Sequence, residues 1–263
     1  MNKKIIISSV VVITLSIVTA YGLITWNSSI NKTNPSEQAN EQTDYTQNNQ
    51  QTEPEALPQE EQNDFNKELY SLSDPSSIWV IVNKQRPLNP TDFVPPNLVV
   101  PDVALRLSPS AEQSQISQQA NDAVINLFDA AKNAGFNLQF GSGYRSYAYQ
   151  KQLYDGYVAQ MGQDEADKIS ARPGTSEHQT GLAFDVTLPS GECFLETCLG
   201  AMPEGEWIAA NAYKYGWIVR YPEGKEDITG YSYEPWHLRY VGIELATEMH
   251  EQNIQTLEEF FSI

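Results

Sequence analysis

Apolar and polar positions change their spacing several times along the chain, and each change marks a different kind of element. From Ile5 to Trp26 the residues are almost wholly apolar, relieved only by Ser, Thr and Gly, and two lysines precede them. A run of about 22 residues rising ~1.5 Å each is long enough to cross a bilayer and longer than the core of a cleaved signal. Residues 1–26 are therefore expected to be an uncleaved N-terminal anchor, the lysines keeping the N-terminus cytoplasmic and the rest outside. A cleaved signal peptide ending at Val18-Thr19-Ala20 is the alternative, and would leave the protein secreted. From Asn27 to Asn66 large apolar residues nearly vanish among Asn, Gln, Glu, Thr and Pro, the pattern of a disordered spacer.

From residue 67 onward the pattern is that of one folded domain. Ile78 to Val82 reads as a short strand, followed by a proline-studded extended run through Pro101. Ile116, Ala120, Val124, Leu127, Phe128 and Ala131 recur at intervals of three and four, predicting a helix over 111–134 with Gly135 at its stop. Further strands are expected over 136–140, 182–187 and 217–221. Helices are expected over 147–161, 164–169, 203–215 and 240–261. In the strand at 182–187, alternation buries Leu182, Phe184 and Val186 and turns Asp185 to the other face. This mixture predicts an α+β fold: a small antiparallel sheet flanked by helices, in a single domain spanning 67–263.

Composition narrows the function. The formal charge is −18, which argues against nucleic acid, because a phosphate-binding surface needs clustered Lys and Arg. The two cysteines, Cys193 and Cys198, lie close together in a chain that reads as exported. They suit a loop-closing disulfide, with reduced thiols or half of a metal knuckle as alternatives.

Candidate chemistry comes from the histidines, of which there are three. His250 lies on the C-terminal helical pattern between acidic residues and reads as surface. His178 is followed seven residues later by Asp185, and His237 is preceded three residues earlier by Glu234. Two imidazoles and one carboxylate form a zinc ligand set that keeps one position open for water. His178, Asp185 and His237 are thus the expected ligands, and Glu234 the carboxylate left over as general base and acid. Arg145, in Gly141-Ser142-Gly143-Tyr144-Arg145-Ser146, emerges where a strand gives way to a helix, a common place for a functional side chain.

Ser176-x-His178-x-x-Gly181-x-Ala183-x-Asp185, together with Glu234-x-x-His237 and the upstream Ser142-Gly143-Tyr144-Arg145-Ser146 with Gln150, resembles the VanY-type D-alanyl-D-alanine carboxypeptidases. These are zinc peptidases sharing a fold with lysostaphin-like enzymes and the hedgehog signalling domain. The resemblance covers about Ile78 to Phe261. It implies zinc on His178, Asp185 and His237, Glu234 as catalytic base, and substrate binding by Arg145, Gln150 and Ser176. Arg145 would either clamp a terminal carboxylate or stabilise the oxyanion. The expected reaction removes the terminal D-alanine of peptidoglycan stem peptides by a monomer at the outer side of the membrane. Two alternatives are an endopeptidase on the same fold and a non-catalytic, zinc-stabilised wall-binding module.

Overall fold

The longest regular pattern, the three-and-four spacing between Ala120 and Ala131, becomes helix α1 (Gln118–Asn133), and its stripe is the foundation of the core. The computed structural model describes residues 65–263; the expected anchor and nearly all of the expected spacer lie outside the described residues. Among the described residues no helix is long and apolar enough to cross a membrane. Ala120, Val124, Leu127 and Ala131 are fully buried. Burial of Val124, Leu127 and Phe128 contributes roughly 1.5–3 kcal/mol each.

This helix starts later than the pattern predicts. Ile116–Ser117 form a two-residue strand, β2, paired with β1 (Leu98–Val99) in the proline-rich strap. The Ser117 side chain accepts a hydrogen bond from the Gln119 amide, capping the helix and fixing its first turn. Ile116 is buried as expected, but from a strand. The stop at Gly135 is as predicted, with φ at 93°.

The main sheet has four strands, all antiparallel: β3 (Gln139–Ser142), β4 (Ala183–Thr187), β6 (Glu234–Tyr240) and β5 (Trp217–Tyr221), in the order β3-β4-β6-β5. One face is aromatic and packs toward α1. Phe184 stacks on Phe140 at 4.9 Å, meets Trp217 edge-on at 4.8 Å, and lies 6.1 Å from Phe128. Because side chains alternate along a strand, the same registers send Asp185 and His237 to the other face. That second face is polar, and it is the floor of a cleft.

Helix α2 (Tyr147–Met161) matches its expected span and is capped by the Ser146 side chain; α3 (Gln163–Ile169) follows it directly. Helix α4 (Pro203–Asn211) passes into a 3-10 turn before Gly216, and the expected loop at 222–231 contains the short helix α5 (Glu226–Thr229). The single C-terminal helix expected over 240–261 is instead two. Tyr240 completes β6, α6 runs Ile243–Glu251 and α7 runs Leu257–Phe261, broken where Asn253 takes φ 55°.

The expected strand at Ile78–Val82 does not form. Trp79 through Val82 are buried, which explains their apolar character, but they run as irregular chain. The carbonyls of Ile78 and Val80 are taken by the Arg239 guanidinium at 2.9 and 2.8 Å, so a neighbouring strand is not their partner. Trp79 and Ile81 instead seed a second apolar cluster with Val241, Leu245, Met249, Leu257 and Phe260.

Candidate metal centre and substrate cleft

Sheet register assembles the site. Asp185 on β4 sits directly opposite His237 on β6, and Ser142 on β3 opposite Asp185, so three neighbouring strands present one row of side chains. His178 joins them from a single 3-10 turn, Glu177–Thr180, that ends at Gly181 with φ 67° and leads straight into β4. A Cβ on Gly181 would lie 2.9 Å from the Ser117 amide, so the close approach of this turn to β2 requires glycine.

His178, Asp185 and His237 are all buried, and one ligating atom from each lies within 4.8 Å of the others. His178 Nε2 is 3.4 Å from Asp185 Oδ1, and His237 Nδ1 is 3.6 Å from the same oxygen. His178 Nε2 is buried with no hydrogen-bond partner. An orphaned imidazole nitrogen aimed at a carboxylate and a second imidazole fits a borderline cation, and the donor set suits zinc.

The non-ligating atoms of His178 and Asp185 are also occupied. His178 Nδ1 lies 2.7 Å from the Gly143 carbonyl, which fixes the ring and leaves Nε2 free as a ligand. The Ser142 hydroxyl donates to Asp185 Oδ2 at 2.8 Å. Gly143 is obligatory: a Cβ there would lie 2.3 Å from the Gln115 carbonyl oxygen. The Gly-Ser-Gly segment at the end of β3 is therefore a wrapper around His178 as well as a route to Arg145.

Electrostatics separate the roles. Burial pulls the His178 imidazole down to about 4, reinforced by the Arg145 charge, so it is neutral and available as a ligand at neutral pH. Burial pushes the Asp185 carboxyl up, but His178, His237 and Arg145 outweigh it and hold it well below the usual carboxylate range. Glu234 goes the other way. Burial, with the charges of Asp185 and Glu177, pushes its carboxyl up to about 7 against the pull of His237 and Arg145. Its Oε2 lies 3.7 Å from His237 Nδ1. A carboxyl poised near neutrality beside a metal-type ligand set has the properties of a general acid–base.

The floor opens into a cleft of about 600 Å³ lined by all seven expected site residues: Arg145, Gln150, Ser176, His178, Asp185, Glu234 and His237. The Nε of Arg145 is buried without a partner. Gln150 is buried, and its amide donates to the Ala171 carbonyl at 2.8 Å and to Ser170 Oγ at 3.2 Å, while Oε1 has no partner. The amide thus ties α2 to the following loop and leaves its oxygen unclaimed. Cys193 and Cys198 are bonded, with Cα atoms 5.6 Å apart, and the loop they close brings Phe194, Leu195 and Thr197 to the cleft wall. His250 is exposed and stacked on Tyr213, away from the site, as its sequence context suggests.

The sequence model of the VanY family, described as D-alanyl-D-alanine carboxypeptidase, matches residues 113–243. The putative carboxypeptidase YodJ of Bacillus subtilis is 46% identical over 193 residues, which span 73% of this chain and 70% of that protein. The chain belongs to the VanY family. Among solved structures, the LD-carboxypeptidase LdcB aligns with a TM-score of 0.68 at 46% identity, over 72% of this chain and 87% of LdcB. A mutant of the vancomycin-resistance D,D-pentapeptidase VanY, solved in complex with Zn(II), aligns with a TM-score of 0.56 at 34% identity, over 69% and 97%. The α+β expectation and the family expectation agree with these likenesses. The VanY match begins after the proline strap and ends at Ile243, so α7 and the buried 79–83 segment lie outside it.

Two residues of this site have roles that sequence reasoning does not reach. Ser142 appears in the motif, but its hold on Asp185 depends on strand pairing across 43 positions. Glu177 stands between two named residues and gives no sign, in spacing or type, that it is buried beside His237.

Proposed function

We infer that this protein is a zinc-dependent carboxypeptidase that removes the terminal D-alanine from peptidoglycan stem peptides outside the cell. The observation that carries the reading is the convergence of His178, Asp185 and His237 at the floor of a cleft, with the Glu234 carboxyl beside them and Arg145 facing the same space. His178 Nε2, an Asp185 oxygen and His237 Nδ1 are the atoms that would hold the ion. Zinc, when bound, supplies Lewis acidity toward the scissile carbonyl and toward a water molecule. Glu234, beside His237 in the cleft, takes the proton of the attacking water and returns it to the departing amine. Arg145 offers the guanidinium that a free terminal carboxylate requires, which an endopeptidase would not need. Ser176 and the unclaimed Oε1 of Gln150 line the same cleft and are available to the peptide backbone.

The higher identity to LdcB than to VanY, 46% against 34%, favours the tetrapeptide stem over the pentapeptide as substrate. The Cys193–Cys198 bond supports an oxidising, extracytoplasmic setting. Residues 1–26 would hold the domain at the membrane and 27–66 would give it reach, with the protein acting as a monomer. The test is incubation of the purified protein with stem tetrapeptide and pentapeptide, products being followed by mass spectrometry with and without a chelator. Chelator-sensitive loss of one alanine is expected. Internal cleavage would establish an endopeptidase, and intact peptide despite bound zinc would make the chain a binding module.

A further inference from the structure

Four charged side chains sit almost entirely out of water behind the metal-type site. Arg220 and Arg239 are 0% exposed, Glu177 is 1% exposed and Glu258 5%. Glu177 Oε1 accepts from Arg220 Nε at 2.7 Å and from Arg239 Nη1 at 2.8 Å. Arg220 then grips Glu258 of α7 with both terminal nitrogens, at 2.9 and 2.7 Å, and Asn83 donates to the same carboxylate at 3.1 Å. Arg239 is anchored by the Ile78 and Val80 carbonyls. Two arginines and two glutamates cancel in charge, but taking four ions out of water is costly, and packed apolar residues would serve stability as well.

The quartet has one unused atom. Glu177 Oε2 is buried with no hydrogen-bond partner, and it lies 3.4 Å from His237 Nε2, which has none either. The other nitrogen of that ring, Nδ1, faces Asp185 and Glu234. An Nε2–H directed at Glu177 leaves the Nδ1 lone pair toward the metal position. Gly143 does the equivalent for His178, and Ser142 for Asp185, but only Glu177 brings a full negative charge.

We propose that Glu177 is a positioning residue for the ligand His237, and that Arg220, Arg239 and Glu258 hold its carboxylate in that place. The proposal rests on the metal-centre reading above. A carboxylate behind an imidazole fixes the tautomer and raises the ring's basicity, and loss of such a partner typically weakens metal binding by ~10–100-fold. It follows that α7 and Asn83, both outside the segment matched by the family, contribute to the metal centre.

The test is competition for zinc and for cobalt between a chromophoric chelator and the full chain, in wild type, Glu177→Gln, Glu258→Gln and His178→Ala. Folding is checked by circular dichroism, and the visible spectrum of the cobalt form is recorded. Glu177→Gln is expected to bind roughly 10–100-fold more weakly with a shifted cobalt spectrum, and Glu258→Gln to move both in the same direction by less. A folded Glu177→Gln with wild-type affinity and spectrum overturns the proposal. If Glu177→Gln does not fold, unchanged affinity in Glu258→Gln overturns it. Equal zinc binding by wild type and His178→Ala would instead sink the metal-centre reading on which the proposal stands.

Discussion

Glu234→Gln tests the division of labour in the cleft, because the structure assigns opposite signs to its effects on turnover and on stability. The Glu234 carboxyl rises from an ordinary 4.5 to about 7, chiefly through burial. Between those values the native state holds a proton that the unfolded chain has released, so stability falls as pH rises through this window. Above pH 7 the full penalty applies: a gap between 4.5 and about 7 is worth on the order of 3 kcal/mol at 1.36 kcal/mol per pH unit. Glutamine keeps the shape without the charge. In chelator-treated protein the variant should therefore be more stable than wild type by about that amount at pH 8, and the advantage should vanish near pH 4. Turnover should move the other way, falling roughly 100- to 10,000-fold, or about 3–5 kcal/mol of barrier. Urea titrations at the two pH values and alanine release from the stem peptide measure these effects. An equal stability difference at pH 4 and pH 8 would refute burial as the cause of the raised carboxyl. Turnover within tenfold of wild type would remove Glu234 from the reaction.

Other perturbations separate the parts of the molecule. His237→Ala should lose bound metal while keeping the fold, as read by metal analysis and circular dichroism; unchanged metal content would show the ligand set to be wrong. Gly143→Ala forces a Cβ to within 2.3 Å of the Gln115 oxygen and moves the carbonyl that holds His178, so both the melting temperature and metal affinity should fall. Phe184→Ala empties the centre of the aromatic cluster formed with Phe140 and Trp217 and should cost about 3–5 kcal/mol in denaturant unfolding. The double change Cys193→Ser with Cys198→Ser should cost about 2 kcal/mol from the freed loop. Because that loop forms part of the cleft wall, the same variant should raise KM for the stem peptide more than it lowers kcat.

Much of this protein was legible without coordinates, and the reasons are local. Helix α2 begins at Tyr147, behind the Ser146 cap, and β5 follows Gly216 as expected, because capping and left-handed stops act within a few residues. His178, Asp185, Glu234 and His237 stood out because imidazoles are scarce in this chain and because metal chemistry demands those residue types. Gly181 and Gly143 could be noticed, but the backbone atoms that exclude a side chain there belong to β2 and the chain just before it.

What tertiary structure alone decided are the consequences of contact between distant segments. Trp79–Val82 of the apolar run are buried as their composition demands, yet Arg239 takes carbonyls that a strand would have paired. The C-terminal pattern was continuous enough for one helix, but packing of Leu257 and Phe260 against Trp79's cluster required a break and a turn. Glu177 is the sharpest case. Nothing in its neighbourhood of sequence distinguishes it from a solvated glutamate, and its meaning comes from two arginines 43 and 62 residues away. Periodicity and residue type report what a segment can bury or ligate, since those are properties of the segment. Which partner satisfies a buried charge is a property of the assembled chain, and only the fold specifies it.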